Sequence, residues 1–244
     1  MQQEIMQLAT AIRQAGHIAV LSGAGMSTES GIPDFRSAQG LWQQGMQLEE
    51  LVSIDYFRAD PEAFWHSFKQ LFHTKLLGNY QPNAGHRFLA WLEAGGKQVS
   101  VLTQNIDGLH GVAGSRHVAE LHGTLRSASC PSCGRQQGLD YINHHALPLC
   151  THCMDVLKPD VVLYGEAVPL IEHAFEVALS AELLLVLGSS LEVSPVNHIP
   201  LEAARAGVMT ALVNYSPTRM DRVFDLTIQA GIGETCQQLR TLLG

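Results

Sequence analysis

Apolar residues along the chain fall into short runs that are separated by segments of mixed polarity. Three runs have the length and composition of buried strands, namely His17–Ser22, Gln98–Thr103 and Leu183–Leu187. Two more strands are predicted at 208–213 and 226–228. None of these runs approaches the roughly 20 apolar residues that a membrane-spanning helix needs.

Helical periodicity marks the segments between these strands. Ile5, Leu8 and Ile12, for example, recur on one face of a helix near the N-terminus. The predicted helices are one that ends near Gly16, one closed by Gly95 and Gly96, one at 170–180, one that ends at Gly207 and one from Glu234. Because strands and helices alternate, the pattern predicts a parallel sheet covered by helices on both faces.

Two regions interrupt this alternation and are predicted to form a smaller lobe. Residues 35–81 are rich in aromatic side chains and contain no apolar strand, and residues 127–157 contain two pairs of cysteines. No linker separates independent domains, so we expect one catalytic core. The expected larger lobe comprises 1–34, 82–126 and 158–244; the smaller lobe comprises 35–81, a helical module, and 127–157, a cysteine-bearing module.

The predicted strands end in segments that are polar, glycine-rich or amide-bearing. These segments are 22–25, 104–107, 188–190 and 214–216. In open α/β sheets, ligands bind outside the carboxyl ends of the strands. The sequence therefore predicts that the four segments converge on one crevice.

The first of these segments has the composition of a phosphate-binding turn. Gly23, Ala24 and Gly25 follow a strand and precede a predicted helix, whose N-terminus would supply amide groups and a positive dipole. The glycine fingerprint is incomplete because Thr28 stands where a third glycine is usual, and no acidic residue obviously follows to hold a ribose. A tight strand-to-helix turn without a ligand is an equal alternative.

The cysteine spacing indicates a metal site. Cys130, Cys133, Cys150 and Cys153 form two C-x2-C pairs sixteen residues apart, which is typical of a closed, tetrahedral four-thiolate zinc site. Three nearby histidines are competing ligands, but four thiolates already saturate zinc. The fifth cysteine, Cys236, shares a helical face with leucines and is interpreted as a core residue.

Two further segments each allow two interpretations, one as a ligand-binding site and one as a simple turn. Phe35 could cover a planar ring while Arg36 faces phosphate, although a solvated turn with a local Asp34–Arg36 contact explains the same residues. Asn105 and Asp107 could orient a ribose, a carboxamide or a water molecule, or they could simply form a turn.

Charge and composition exclude other classes. The chain has 244 residues, 46% of them apolar and 16% charged, as in globular proteins. Its formal charge is −8, and no run of Lys or Arg occurs, so nucleic-acid binding is not expected. No signal peptide and no membrane span are recognised, so we expect a cytoplasmic protein.

Seven motifs in order carry a resemblance to a known family. They are GAGMSTESGIPDFR (23–36), TQNIDGLH (103–110), LHG (121–123), the two C-x2-C pairs, KPDVVLYGE (158–166), GSSLEVSP (188–195) and NYSPT (214–218). Together they resemble the sirtuin family of NAD-dependent protein deacylases. The resemblance implies a Rossmann-like, doubly wound parallel sheet, a smaller lobe made of a zinc ribbon and a helical module, an active site in the cleft, and a monomer.

The resemblance also implies roles for individual residues. His122, one of twelve histidines and not singled out by its own surroundings in the sequence, would be the general base, with Asn105 as a second catalytic residue. Val162, Tyr164 and Gly165 would line the acyl-lysine tunnel. NAD would be held by Gly23, Ala24, Gly25, Thr28, Phe35, Arg36, Gln104, Asn105, Ile106, Asp107, Gly188, Ser189, Ser190, Asn214, Tyr215, Ser216 and Ile232.

In the mechanism of that family, the acyl oxygen attacks C1′ of the nicotinamide ribose and expels nicotinamide. The products are free lysine, nicotinamide and an acylated ADP-ribose, so NAD is a consumed co-substrate and the protein partner is an acyl-lysine protein or peptide. The alternatives are ADP-ribosyl transfer to a protein at the same NAD site, and a non-catalytic NAD-sensing scaffold. A dehydrogenase is disfavoured by the incomplete glycine fingerprint.

Four positions bear on the acyl group. Lys158 and Tyr164 stand where Arg and Phe are commoner in the family. Relatives that remove succinyl or malonyl groups carry a Tyr and an Arg at positions that align with Trp65 and Phe68, two aromatic residues that could line the tunnel or belong to the core. Without that cation an acyl carboxylate would be buried unpaired. We therefore predict a preference for neutral acyl groups.

Overall fold

The computed structural model describes residues 1–32, 48–77 and 80–244, without the side chains of Leu48 and of 73–77. Its α-helices are α1 (Gln2–Gln14), α2 (Leu48–Leu51), α3 (Ile54–Ala59), α4 (Pro61–Leu77), α5 (Ala84–Ala94), α6 (Leu109–Ala113), α7 (Leu139–His144), α8 (Ile171–Ser180), α9 (Ile199–Arg205) and α10 (Ile232–Leu243). Its strands are β1 (His17–Ser22), β2 (Gln98–Thr103), β3 (Val118–Glu120), β4 (Gly123–Ser129), β5 (Gln136–Gly138), β6 (Lys158–Val161), β7 (Leu183–Leu187), β8 (Met209–Asn214) and β9 (Leu226–Gln229). Three 3₁₀ helices cover Ala24–Ser30, Val196–His198 and Asp221–Val223.

The described residues form two compact units. Unit 1 contains 1–32, Gln81–Leu121 and Pro169–Gly244, and unit 2 contains 48–77, Tyr80 and His122–Val168. From the sequence, we expected 122–126 and 158–168 to belong to the larger lobe instead. The structure groups them with the cysteines because β4 and β6 pair antiparallel and so belong to one sheet.

Unit 1 is built on a six-stranded sheet in the order β3-β2-β1-β7-β8-β9. Every neighbouring pair is parallel. The chain runs outward from β1 to β3 and then returns to the other side of β1 as β7. This confirms the predicted doubly wound sheet and places its switch point, where ligands bind in such folds, between β1 and β7.

Strands β1 and β7 formed where apolar residues are continuous. All five residues of β7 are buried, as are all residues of β1 after His17. Ile5, Leu8 and Ile12 of α1 pack with Phe88 of α5 in the core of this unit. Burial of each such side chain contributes about 1.5–3 kcal/mol. The boundaries differ slightly from prediction, since α10 begins two residues before Glu234.

Unit 2 combines an aromatic helix with a small antiparallel sheet. The sheet has the order β5-β4-β6. On α4, Phe64, Trp65 and Phe68 are buried, and the Phe64 and Phe68 rings stack at 5.4 Å. The indole nitrogen of Trp65 donates to the carbonyl of Leu157 at 2.8 Å, which ties α4 to the segment before β6.

Two lysines cap helices in the described structure. Lys97 Nζ donates to the carbonyls of Arg13 and Ala15 at the end of α1, each at 2.7 Å. Lys69 Nζ donates to the carbonyl of Ile142 at 2.5 Å and also to that of His145, at the end of α7. Cations at these positions satisfy carbonyls that a helix end leaves without partners and complement its dipole.

In the part of the chain that the structure describes, no helix combines the length and the apolar content required to cross a bilayer.

Candidate functional site

Two glycine-bearing turns meet at the switch point of the parallel sheet. The amide of Gly23 donates to the carbonyl of Leu187 at 3.0 Å, and the amide of Gly25 donates to the carbonyl of Gly188 at 2.8 Å. Gly188 has φ +63°, and a methyl group on it would lie 2.4 Å from the amide nitrogen of Met26. These glycines therefore allow the two turns to pack in close contact. The sequence analysis had not assigned them this role.

The turn after β1 is a seven-residue 3₁₀ helix, Ala24–Ser30, and not the start of an α-helix. Its side chains reach the loop after β2. Ser27 Oγ donates to Asp107 Oδ2 at 2.7 Å, and Asn105 Nδ2 donates to Ser27 Oγ at 3.1 Å. Ser27 and Asn105 are buried. The serine thus fixes the orientation of the Asn105 amide and of the Asp107 carboxylate.

Ser27 was not among the predicted site residues. No periodicity or spacing connects it with Asn105 and Asp107, which lie 78 and 80 positions away. The one available signal was its place inside the long motif at 23–36. Asp107 is further held by the amide of Leu109, which donates to Oδ1 at 2.9 Å.

A buried polar chain lies in the same unit. Ser22 Oγ donates to Thr103 Oγ1 at 2.9 Å and contacts His110 Nε2 at 2.8 Å, so this nitrogen acts as the donor. The centres of the His110 and His86 rings lie 4.8 Å apart. His86 Nδ1 in turn contacts Asn83 Oδ1 at 3.0 Å. These residues were also missed as functional candidates, although His110 ends one of the seven motifs.

Burial keeps both of these histidines neutral. It lowers the pKa of His86 to about 4, against the opposing attraction of the Asp107 carboxylate. Burial also lowers the pKa of His110 to about 3, and the neighbouring His86 adds to the effect. At neutral pH each imidazole is therefore an uncharged hydrogen-bonding group.

The ends of β7 and β8 supply the residues expected at the adenosine half of NAD. Ser189 Oγ accepts from the amide of Leu191 at 3.2 Å and contacts Gln104 Oε1 at 3.4 Å. Asn214 Nδ2 donates to the carbonyl of Ser216 at 2.7 Å, which orients its amide. Tyr215 is 85% exposed.

The remaining predicted NAD residues also have defined places. Ala24 and Thr28 lie on the 3₁₀ helix, where Thr28 Oγ1 donates to the carbonyl of Gly25 at 3.0 Å. Ile106 is buried in the loop after β2, and Ile232 is buried at the start of α10. Ser190 follows β7 and is partly buried. Phe35 and Arg36 lie outside the described residues.

Unit 2 holds the predicted base and the predicted tunnel residues. The amide of Val162 donates to the carbonyl of His122 at 2.9 Å, beside β4 and β6. Tyr164 is 41% exposed, and burial of the rest of the ring, with the charge of Glu49, raises the pKa of its phenol. Gly165 has φ +90°.

The four paired cysteines come together in unit 2. Their sulfur atoms all lie within 4.8 Å of one another, and the Cys130–Cys153 and Cys133–Cys150 sulfur separations are 3.3 and 3.5 Å. A tetrahedral zinc ion with bonds of about 2.3 Å requires sulfurs about 3.8 Å apart. The arrangement therefore fits one closed zinc site, and it is the one metal-ligating cluster among the described residues.

The chemistry of the residues at the switch point fits NAD. Amide, hydroxyl and carboxylate groups follow β1, β2, β7 and β8 in unit 1. Such groups suit the hydroxyls and carboxamide of a dinucleotide.

Comparisons with known proteins agree with this arrangement. A model described as the Sir2 family matches residues 23–195. The NAD-dependent protein deacetylase of Chromobacterium violaceum is 66% identical over 239 residues, with 98% of each chain covered. NAD-dependent protein deacetylase 2 of Geobacillus kaustophilus is 54% identical, with 97% of each covered. A solved structure of a Sir2 enzyme bound to a propionylated peptide has a TM-score of 0.86 and 31% identity, and covers 98% of this chain and 99% of that one.

Proposed function

The chain belongs to the Sir2 family, and from that premise we propose that it is an NAD-dependent protein lysine deacylase. It transfers the acyl group of an acyl-lysine to the ADP-ribose part of NAD and releases nicotinamide. The observation that carries this proposal is the Asn105–Ser27–Asp107 set, which lies beside the switch point of a dinucleotide-binding sheet. NAD is a co-substrate, and one structural zinc ion is the cofactor.

The residues of unit 1 are proposed to hold NAD. Asn105 and Asp107 would bind the nicotinamide ribose and carboxamide with their orientations set by Ser27. Asn214 would accept from an adenosine hydroxyl, since its amide nitrogen already donates to Ser216. The remaining NAD residues are those named from the sequence, with Phe35 and Arg36 among them.

His122 is proposed as the general base. It would remove the proton of a ribose hydroxyl, a task suited to imidazole because its unperturbed pKa lies near neutrality. The other two histidines discussed above are poor bases at neutral pH, because burial depresses the pKa of both His86 and His110.

Neutral acyl groups are the proposed substrates. Trp65 and Phe68 offer no charge to an acyl carboxylate. Two of the three N–H donors of Lys69, whose ammonium lies 5.7 Å from the Trp65 ring centre, are already bonded to carbonyls at the end of α7. A succinyl or malonyl carboxylate beside these aromatic side chains would therefore be desolvated without a partner, at a cost of several kcal/mol.

We further propose that the chain is a monomer, that it acts in the cytoplasm and that it does not bind nucleic acid. The formal charge of −8 supports the absence of nucleic-acid binding, since binding to phosphate backbones needs clustered positive charge.

The test is mass spectrometry of an acetyl-lysine peptide incubated with the protein, with and without NAD. We expect NAD-dependent loss of acetyl, release of nicotinamide, and a rate at least about 100-fold lower in His122→Ala. His173→Ala, which changes an exposed histidine of α8, is the matched control and should keep the full rate. ADP-ribose added to a protein without loss of acetyl would replace this proposal with ADP-ribosyl transfer.

A further inference from the structure

The segment that carries the proposed tunnel residues ends in a tight turn. The amide of Glu166 donates to the carbonyl of Leu163 at 3.0 Å, which closes a four-residue turn with Tyr164 and Gly165 at its centre. Gly165 has φ +90°, the positive value that the third position of a type II turn requires. A methyl group there would lie 3.1 Å from Ile54, so the position is constrained by packing as well.

The side chain of Glu166 closes the same turn a second time. Its Oε2 accepts from the amide of Leu163 at 2.9 Å, so the first and last residues of the turn are joined by two hydrogen bonds. The carboxylate is only 26% exposed. A partly buried carboxylate needs a cation or several donors to offset its lost hydration.

Lys158 supplies that cation. Its Nζ lies 2.9 Å from Glu166 Oε2 and also donates to the carbonyls of Val161 at 2.9 Å and Pro159 at 3.1 Å. Three partners match the three donors of an ammonium group. One side chain at the start of β6 therefore bonds the end of β6 and, through Glu166, the turn that follows it.

The turn is also bonded on its other side. The amide of Tyr164 donates to the carbonyl of Val52 at 3.0 Å, and the amide of Ile54 donates to the carbonyl of Tyr164 at 2.9 Å. These backbone bonds hold the turn beside the start of α3. Loss of the ion pair would leave the Glu166 carboxylate without its cation and without its link to β6, while the backbone bonds of the turn stay in place. The unit should therefore stay folded with a less ordered turn.

We propose that Lys158 is a positioning residue for the acyl-lysine substrate, acting through Glu166 on the turn at Tyr164 and Gly165. The proposal rests on the proposed function, since it assumes that this turn lines the acyl-lysine site. A turn already ordered before binding loses less conformational entropy when the peptide arrives. Lys158 therefore sets the affinity for the peptide, whereas the residues proposed to hold NAD lie in unit 1.

The experiment compares KM for an acetyl-lysine peptide with KM for NAD in three variants. Lys158→Met keeps the aliphatic stem and removes the charge, and it should raise the peptide KM about tenfold. Lys158→Arg restores a cation and should bring that KM back to within about threefold of the wild type. Arg205→Met removes a different ion pair, with Glu202 of α9, and is the matched control for loss of a pair.

A purely structural role for Lys158 gives a different result. KM does not depend on the fraction of enzyme that is folded, so a lower kcat with both KM values unchanged would overturn the proposal. A rise in the peptide KM that Lys158→Arg fails to reverse would also overturn it. A wild-type protein without any deacylase activity would overturn the proposed function first, and this assignment with it.

Discussion

The parallel sheet of unit 1 and the antiparallel sheet of unit 2 are stabilised in different ways. Strands β1 and β7 bury nearly every residue, in a core that includes large side chains of α1, α5 and α10. Strand β4, by contrast, buries two of its seven residues, and β5 buries none. The four cysteines lie beside this second sheet. The larger sheet is therefore stabilised by apolar burial, whereas the smaller one needs a metal cross-link.

The two sheets offset the entropy cost of folding with different interactions. Ordering each residue costs about 1–2 kcal/mol of backbone entropy, which the parallel sheet offsets with buried leucine, valine and isoleucine. The antiparallel sheet has Leu125, Ala128, Pro159 and Val161 as its buried apolar strand residues. That set is small, so we expect zinc binding to contribute a large part of the free energy that orders this segment.

Removal of a zinc ligand should have the largest effect, and that effect should be confined to unit 2. Cys150→Ser should abolish zinc binding, remove about 10 kcal/mol or more of binding free energy from unit 2 and eliminate deacylase activity. Hydrogen exchange should show loss of protection in β4 and β6, with protection retained in β1 and β7. Cys236→Ala is the matched control, because this buried cysteine belongs to the core of unit 1. A zinc-free protein that stays folded and active would contradict the argument.

A core truncation should affect the other sheet and leave the metal in place. Leu185→Ala, in the central strand β7, should lower the free energy of unfolding by about 2–5 kcal/mol. Zinc content measured on the folded protein should stay at one ion per chain. Leu179→Ala, which changes a 42% exposed residue of α8, should cost less than about 0.5 kcal/mol. If both substitutions cost the same in denaturant unfolding, burial is not what stabilises unit 1.

Acid should destabilise unit 1 through its two buried histidines. Their pKa values, about 4 for His86 and about 3 for His110, lie below the ordinary value of 6.5. Because the unfolded chain then binds more protons, stability is complete above pH 6.5 and falls as the pH drops from there towards these values. At pH 5 each histidine should cost about 2 kcal/mol.

The variant His110→Gln isolates this effect, because its amide can replace the Nε2 donor to Ser22 without binding a proton. Its free energy of unfolding should fall by about 2 kcal/mol less than that of the wild type between pH 7.5 and pH 5. Equal pH profiles of the two proteins in urea titrations would show that His110 is not the titrating group.

The sequence predicted those parts of the fold where one physical signal dominates. β1, β2 and β7 were found with their correct bounds because they are short, largely apolar segments that end in polar or glycine-rich residues. The strands β4 and β5 were missed because they are rich in polar residues and show no regular alternation of apolar and polar positions. Contacts such as Ser27 with Asp107, or Lys158 with Glu166, could not be read from residue patterns, because only the folded chain brings these side chains together. Assignment of His122 needed the family resemblance.

The lysines of this chain have a consequence for the enzyme itself. The sequence contains four, at 69, 75, 97 and 158. The described ammonium groups of Lys69, Lys97 and Lys158 all donate to carbonyl oxygens, and that of Lys158 also to a carboxylate. A protonated ammonium group whose three donors all have partners, as in Lys158, is a weak nucleophile towards thioesters and acyl phosphates. Lys69 and Lys97 each have two such partners, and burial lowers the pKa of Lys69. Lys158, at the base of the proposed substrate turn, should therefore be acylated by such reagents more slowly than a solvated lysine.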